Sequence, residues 1–151
     1  MEKSSIAKVR RLLALHEGRV PHAYQDSLGF WTIGIGHLID KRKGGRLPDH
    51  IIDALFDHDL QHHMDALPAW VWDLDDVRAA VIVDMCFNLG PEPFDGDQVK
   101  DWPIFVGQVR AGKYAEAAKN MRSTLWAKQV GARAERLAKM METGEWPNDL
   151  K

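Results

Sequence analysis

The sequence contains only one cysteine, Cys86, so no disulfide can form within the chain. Its 151 residues must therefore be stabilised by packing, and an unpaired thiol suits folding in a reducing cytosol. The contents of 45% hydrophobic and 28% charged residues are ordinary for a globular protein. No internal repeat or low-complexity segment is present. We expect a single domain with a sizeable core.

Long hydrophobic runs are also absent. The longest, residues 79–83, is closed by Asp84, whereas a membrane span needs about 20 apolar residues. Residues 1–8 carry charged side chains and no apolar segment of signal-peptide length. We therefore expect no membrane anchor and no export signal of the protein's own.

The chain lacks a strong excess of charge of either sign. Its 20 Lys and Arg residues and 22 Asp and Glu residues give a formal net charge of -2. No global field steers the protein toward a polyanion, and we expect no nucleic-acid partner. Basic residues cluster near both ends of the chain, and residues 57–101 are acidic. Solvated helix faces explain this pattern best, and a basic rim along a groove is the alternative.

Most apolar residues recur at helical spacing, and two short apolar segments alternate as strands do. The strands are predicted at 23–25 and 31–35, on either side of a turn. The predicted helices cover residues 4–17, 48–67, 77–89, 103–111, 114–122 and 130–143. Because its apolar residues lie on nearly every side, the helix at 77–89 is predicted to be buried at the centre. The fold class is therefore α+β.

Three polar side chains near the N-terminus form an acid/base set. Eight residues separate Glu17 from Asp26, and five separate Asp26 from Thr32. A carboxyl that donates a proton, a carboxylate that accepts one and a hydroxyl that holds a water are what a glycosidase needs. Glu17 is predicted to end the first helix, where the helix dipole disfavours a carboxylate by roughly 0.3–1 kcal/mol.

The predicted strands place this set on a surface that a sugar could approach. Because side chains alternate along a strand, Thr32, Gly34 and Gly36 share one face. Two positions without side chains flank the hydroxyl, so a sugar ring could come close to the backbone. A hairpin would also bring Asp26, at the entrance to the turn, near Thr32.

Two other functions are weighed against this one. His58 and His62 lie one helical turn apart, which is a spacing used by metal ligands, but no clear third ligand follows. A polar helix face explains this pair better, and we expect no metal and no cofactor. The six Trp residues could indicate a non-catalytic wall-binding module, but Trp31 and Trp126 fit core positions more simply.

The segment from Glu17 to Leu38 contains Glu-Gly, then Tyr-x-Asp, then Thr-Ile-Gly-Ile-Gly-His-Leu. This order resembles the active-site signature of phage-type lysozymes, glycoside hydrolase family 24, and in particular the lysozymes of T-even phages. Residues 77–90, 114–118 and 126–136 resemble the family's central and C-terminal helices. The resemblance therefore extends over most of the chain.

The resemblance implies a lysozyme-like fold, with a small β-hairpin lobe and a larger helical lobe joined by a long helix. The hairpin lobe would cover about residues 18–47, and the helical lobe about 1–17 and 68–151. The connecting helix would cover about 48–67 of the single 1–151 domain.

The chain departs from the T-even enzymes at three places. The connection at 40–47 is shorter, the loop at 91–101 is longer and more acidic, and Phe105 replaces a small polar groove residue.

The resemblance also assigns roles to residues. Glu17 would be the general acid, Asp26 would orient or activate the attacking water, and Thr32 would help to hold that water. Arg133 would pair with Glu17, and His37 would pair with Asp59 in a supporting ion pair. The residues implied to line the sugar groove are Leu38, Phe87 and Asn120.

The implied function is that of an endolysin, a monomeric muramidase without cofactors. It would hydrolyse the β-1,4 bond between N-acetylmuramic acid and N-acetylglucosamine in bacterial peptidoglycan, with inversion, and lyse the host. It would accumulate in the host cytoplasm and reach the wall after a holin-type membrane protein opens the membrane. A lytic transglycosylase acting on the same bond is the alternative, but such an enzyme needs no water-holding pair like Asp26 and Thr32.

Overall fold

The computed structural model describes residues 3–40, 47–95 and 102–150. The chain divides into two compact units, Met1–Ala54 and Leu55–Lys151. The regular elements are α1 Lys3–Glu17, β1 Val20–Gln25, β2 Trp31–Gly34, β3 His37–Asp40, α2 Asp49–Asp65, α3 Asp76–Leu89, α4 Pro103–Arg110, α5 Tyr114–Arg122, α6 Leu125–Val130 and α7 Ala132–Thr143. These elements confirm the α+β class. Short 3-10 turns occupy Ala69–Asp73, Glu92–Phe94 and Asn148–Leu150.

In the first unit, α1 leads directly into a small antiparallel sheet. The helix ends at Glu17, as predicted, because Gly18 adopts a φ of +76° and its N–H donates to the carbonyl of Ala14 over 3.1 Å. The strands follow in the spatial order β1-β2-β3. Only two residues, Gly18 and Arg19, separate the end of α1 from the start of β1.

The sheet has one strand more than the sequence predicted. Residues 31–35 were expected to form one strand, but β2 ends at Gly34, and Ile35 and Gly36 form a tight turn into β3. Thr32 then lies opposite Tyr24 on β1 and opposite Leu38 on β3. The third strand was missed because its four residues directly follow the glycine pattern that was assigned to the second strand.

The second unit is built around α3. Its side chains Val81, Ile82 and Met85 are fully buried, which confirms the predicted central helix. Asp75 caps the helix, since its carboxylate accepts a hydrogen bond from the backbone N–H of Arg78 at 3.0 Å. The fully buried aromatic ring of Phe105 packs edge-to-face against Trp102, with ring centroids 5.6 Å apart. Phe105 therefore belongs to the core of this unit.

The C-terminal part contains four helices where three were predicted. Thr124 starts the additional helix α6, because its hydroxyl accepts a hydrogen bond from Ala127 N–H at 3.1 Å. Gly131, with a φ of +57°, separates α6 from α7. The predicted helix at 130–143 thus begins at Ala132, and α6 was missed because it is only one and a half turns long.

Two further expectations are tested by burial. Trp126 is buried as predicted, but the prediction of a core position for Trp31 was wrong, since 53% of its surface is exposed. Because side chains alternate along β2, the burial of Thr32 turns Trp31 to the opposite face of the sheet. Within the described residues, no helix is both long enough and apolar enough to cross a membrane. The assignment of residues 1–17 to a helical lobe stays a prediction.

Candidate active site

Glu17 lies against the turn that joins β2 to β3. A Cβ atom placed on Gly36 would lie 2.8 Å from Glu17 Oε2 and 3.0 Å from its Cδ. The carboxyl group therefore occupies the space beside the Cα of Gly36. Since α1 ends at Glu17 and the chain enters β1 at Val20, the helix terminus delivers the carboxyl to this turn. Glu17 is solvent-exposed.

The carboxylate of Asp26 is fixed by the turn that it begins. Its Oδ1 accepts hydrogen bonds from the backbone N–H groups of Leu28 and Phe30, each at 2.9 Å. The backbone N–H of Asp26 donates to the carbonyl of Phe30, and the N–H of Gly29 donates to the carbonyl of Asp26, both at 2.9 Å. Within residues 3–40, 47–95 and 102–150, nothing donates to its second oxygen, Oδ2. That oxygen is available to a water molecule.

Thr32 is a buried polar side chain on the same hairpin. Only 4% of its surface is exposed, and its hydroxyl donates to the carbonyl of Phe30 over 3.3 Å. Thr32 lies opposite Tyr24, which is two residues before Asp26, so Thr32 and Asp26 are close along the same hairpin. The Phe30 carbonyl binds both residues, since it accepts from the Asp26 N–H and from the Thr32 hydroxyl.

This arrangement can hold a water molecule. Because the Thr32 hydroxyl donates its hydrogen bond to the Phe30 carbonyl, its oxygen still has lone pairs that can accept a hydrogen bond from water. Oδ2 of Asp26 can accept a second hydrogen from the same water, or take it as a proton. The first unit thus contains all three predicted residues, with Glu17 at the end of α1 beside the β2–β3 turn and with Asp26 and Thr32 on the β1–β2 hairpin.

The residues predicted to line a groove lie in both units. Leu38 is directly across from Thr32 in β3 and is partly exposed. Phe87 is partly exposed on α3, where its ring lies 4.8 Å from that of His63. Asn120 lines a cavity of about 370 Å³ together with Gln108, Glu116, Lys119 and Ser123. Phe87 and Asn120 line different cavities. That these three residues line one sugar groove stays a prediction.

Arg133 makes an ion pair that the sequence did not reveal. Its Nε donates to Asp84 Oδ1 at 2.8 Å, and its Nη2 donates to the carbonyl of Asp84 at 3.0 Å. The sequence signal is Asp84, a carboxylate that interrupts the apolar run at 79–83, but the sequence pattern alone marks it only as the end of that run. The pairings of Arg133 with Glu17 and of His37 with Asp59 join residues of different units and stay predictions.

The Asp84–Arg133 pair lies at the wall of a large cavity in the second unit. This cavity has a volume of about 820 Å³ and is lined mainly by apolar side chains, among them Phe56, Leu60, Met64, Trp72 and Phe87.

Where the chain is described, no group of three or more His, Cys, Asp and Glu side chains could hold a metal ion. His63, next to the His58 and His62 pair, is tied to its own helix by a 2.7 Å contact between Nδ1 and the carbonyl of Asp59.

Comparisons with known proteins agree with the resemblance found in the sequence. The family model described as phage lysozyme matches residues 14–142. Two proteins of Dictyostelium discoideum, "Probable T4-type lysozyme 1" and "Probable T4-type lysozyme 2", are 26% and 24% identical over 168 aligned positions. Each alignment covers 92% of this chain and 96% of the relative.

Proposed function

The chain belongs to the phage lysozyme family of glycoside hydrolases, which act on peptidoglycan, and we propose that it hydrolyses one specific bond in that polymer. The bond is the β-1,4 linkage between N-acetylmuramic acid and N-acetylglucosamine. Glu17 serves as the general acid, Thr32 helps to hold the attacking water, and Asp26 takes a proton from that water. No cofactor takes part in this reaction.

One observation carries the proposal. The turn that holds Oδ1 of Asp26 also supplies, through the Phe30 carbonyl, the acceptor for the Thr32 hydroxyl. The two side chains that would hold the water are thus positioned by the same backbone segment. Oδ2 of Asp26 can then accept a proton from that water.

The reaction follows from these positions. Glu17 gives its proton to the glycosidic oxygen as the bond to the sugar carbon breaks and positive charge develops on the ring. Water held by Thr32 attacks that carbon from the opposite face, and Asp26 takes the proton that the water loses. Attack from the opposite face inverts the configuration. Inverting enzymes keep the two carboxyl groups about 6.5–9.5 Å apart to admit the water.

We propose further that the protein is an endolysin that lyses a bacterial host. It is made in the host cytoplasm as a monomer and reaches the wall after a holin-type protein opens the membrane. The description of the matching family as phage lysozyme supports this setting. Expression in bacteria should leave cells intact until the membrane is breached, for example with chloroform, and lysis before any membrane damage would contradict it.

Identifying the new chain ends tests the proposed reaction. Purified peptidoglycan is digested in H₂¹⁸O and the fragments are analysed by mass spectrometry. Hydrolysis at the proposed bond predicts reducing N-acetylmuramic acid ends that each carry one ¹⁸O. Anhydro-muramic ends without ¹⁸O would instead identify a lytic transglycosylase, and N-acetylglucosamine ends would identify cleavage at the other glycosidic bond. NMR of the first products, before the anomers exchange, tests inversion.

A further inference from the structure

We infer that Gly36 is a positioning residue for the proton donor, because its missing side chain leaves the space that the Glu17 carboxyl occupies. The inference rests on the proposed role of Glu17 as general acid. Gly36 itself contributes no reacting group in this account. It acts by deciding where the carboxyl of Glu17 can lie.

The fit between the two residues is close. A Cβ on Gly36 would lie 2.8 Å from Glu17 Oε2, 3.0 Å from Cδ and 3.2 Å from Cγ. The first of these distances is well inside the separation of about 3.5–4.0 Å at which two non-bonded heavy atoms attract. A single methyl group at position 36 therefore cannot coexist with the present position of the carboxyl.

The atoms that would clash lie at the end of a flexible side chain. The three atoms nearest to the added Cβ all belong to the Glu17 side chain. Rotation about the side-chain bonds of Glu17 can relieve the contact without moving α1 or the sheet. A methyl group at position 36 should therefore displace the carboxyl rather than unfold the turn.

Gly112, in the turn between α4 and α5, offers a matched control outside the proposed site. Gly112 and Gly36 have similar left-handed backbone conformations, with φ of +71° and +65°. Both positions therefore strain an alanine to a similar degree. Around Gly112, however, a Cβ would meet nothing within 4 Å. A difference between the two alanine variants isolates the contact with Glu17 from the strain of the backbone.

The test compares Gly36→Ala with Gly112→Ala on soluble peptidoglycan fragments of defined length. Misplacing a reacting group by about 1 Å can cost on the order of 10²-fold in rate. We expect Gly36→Ala to lose on the order of 10²-fold in kcat with KM nearly unchanged, and Gly112→Ala to stay within a few-fold of the unmodified enzyme. Their melting temperatures should fall by similar amounts. Equal kcat values for the two variants would overturn the inference.

Two further variants keep the result clear. If Gly36→Ala does not fold, Gly36→Asn replaces it, since asparagine tolerates the left-handed conformation and carries the same Cβ. A Gly36→Asn enzyme with full kcat would also reject the inference. Glu17→Gln tests the proposed function separately. An active Glu17→Gln enzyme would show that Glu17 is not the proton donor, which rejects the proposed function. An inactive Glu17→Gln enzyme together with a fully active Gly36→Ala enzyme would reject only the positioning role of Gly36.

Discussion

At the scale of single residues, the two oxygens of Asp26 have different tasks. Oδ1 holds the turn through the N–H groups of Leu28 and Phe30, and Oδ2 is the oxygen that would take the proton in the proposed reaction. A carboxylate that also organises its own loop needs no other element to set its orientation. The structural and the proposed chemical contributions of this residue can therefore be separated by substitution.

Asp26→Asn and Asp26→Ala should separate these two contributions. Asparagine keeps an oxygen that accepts the two backbone hydrogen bonds, but it cannot take a proton from water. We expect it to lose most activity at nearly unchanged stability. Alanine also loses the hydrogen bonds, so its free energy of unfolding should fall by about 1 kcal/mol more. Urea unfolding and wall-lysis assays measure both quantities, and an equally destabilised asparagine variant would argue against the turn-holding role of Oδ1.

The local placement of Glu17, Asp26 and Thr32 could be predicted from the sequence, whereas their catalytic roles stay a proposal. Glu17, Asp26 and Thr32 lie within one helix end and one hairpin, where helix-stop signals and strand alternation decide the geometry. The pair of Asp84 and Arg133 could not be predicted in this way. These two residues are 49 positions apart, and their contact depends on how α3 packs against α7.

At the scale of elements, Arg78 joins the start of α3 to the end of α7. Its Nε donates to the carbonyl of Met141 at 2.9 Å, and its guanidinium stacks on the ring of Tyr114, 3.8 Å from the ring centre. The same guanidinium donates to the Asp75 carboxylate at 2.6 Å. The cap of α3 is therefore also a contact between helices.

The charge of Asp75 should make stability depend on pH. Partial burial raises the pKa of this carboxyl, but hydrogen bonds from the side chain and backbone of Arg78 outweigh it and hold the pKa below its ordinary value of 3.8. A lowered folded-state pKa stabilises the protein above the unfolded-state pKa, and this stabilisation is lost as pH falls through the folded value. Below both values it is absent.

Asp75→Asn tests this pH dependence, because asparagine keeps the helix cap but not the charge. At neutral pH the variant should be less stable than the unmodified protein. The difference in unfolding free energy should shrink as pH falls below about 4. Urea unfolding across this range measures it. A difference that stays constant with pH would show that the Asp75 charge does not contribute to stability.

The sequence predicted the long elements better than the short ones. The helix α3 was recognised because its apolar residues and its two ends give consistent signals, with Asp75 at the start and Gly90 at the end. The strand β3 and the helix α6 contain four and six residues. Elements of this length form mainly because their neighbours pair with them or pack on them, and a local sequence pattern does not contain that information.

At the scale of the whole molecule, Cys86 reports on the integrity of the core. The side chain is fully buried, and its Sγ donates to the carbonyl of His63 at 3.7 Å. Burial raises the pKa of this thiol, and the charge of Glu92 raises it further. A thiol that is both inaccessible and protonated reacts slowly.

Labelling Cys86 should therefore require unfolding of the second unit. With a chromogenic disulfide reagent at neutral pH, we expect negligible labelling of the native protein and full labelling in denaturant. The rate at intermediate urea concentrations should follow the unfolding transition measured by circular dichroism. Rapid labelling of the native protein would show that the core around α3 opens readily.

The central claim is that Glu17 donates the proton that breaks the glycosidic bond. The most direct measurement compares the unmodified protein with Glu17→Gln on purified peptidoglycan, with melting temperatures recorded for both. Glutamine keeps the shape of the side chain against Gly36 but has no acidic proton. The account predicts unchanged melting and a loss of about 10²–10⁴-fold in the rate of bond cleavage. A correctly folded Glu17→Gln protein that cleaves peptidoglycan within a few-fold of the unmodified rate would contradict it.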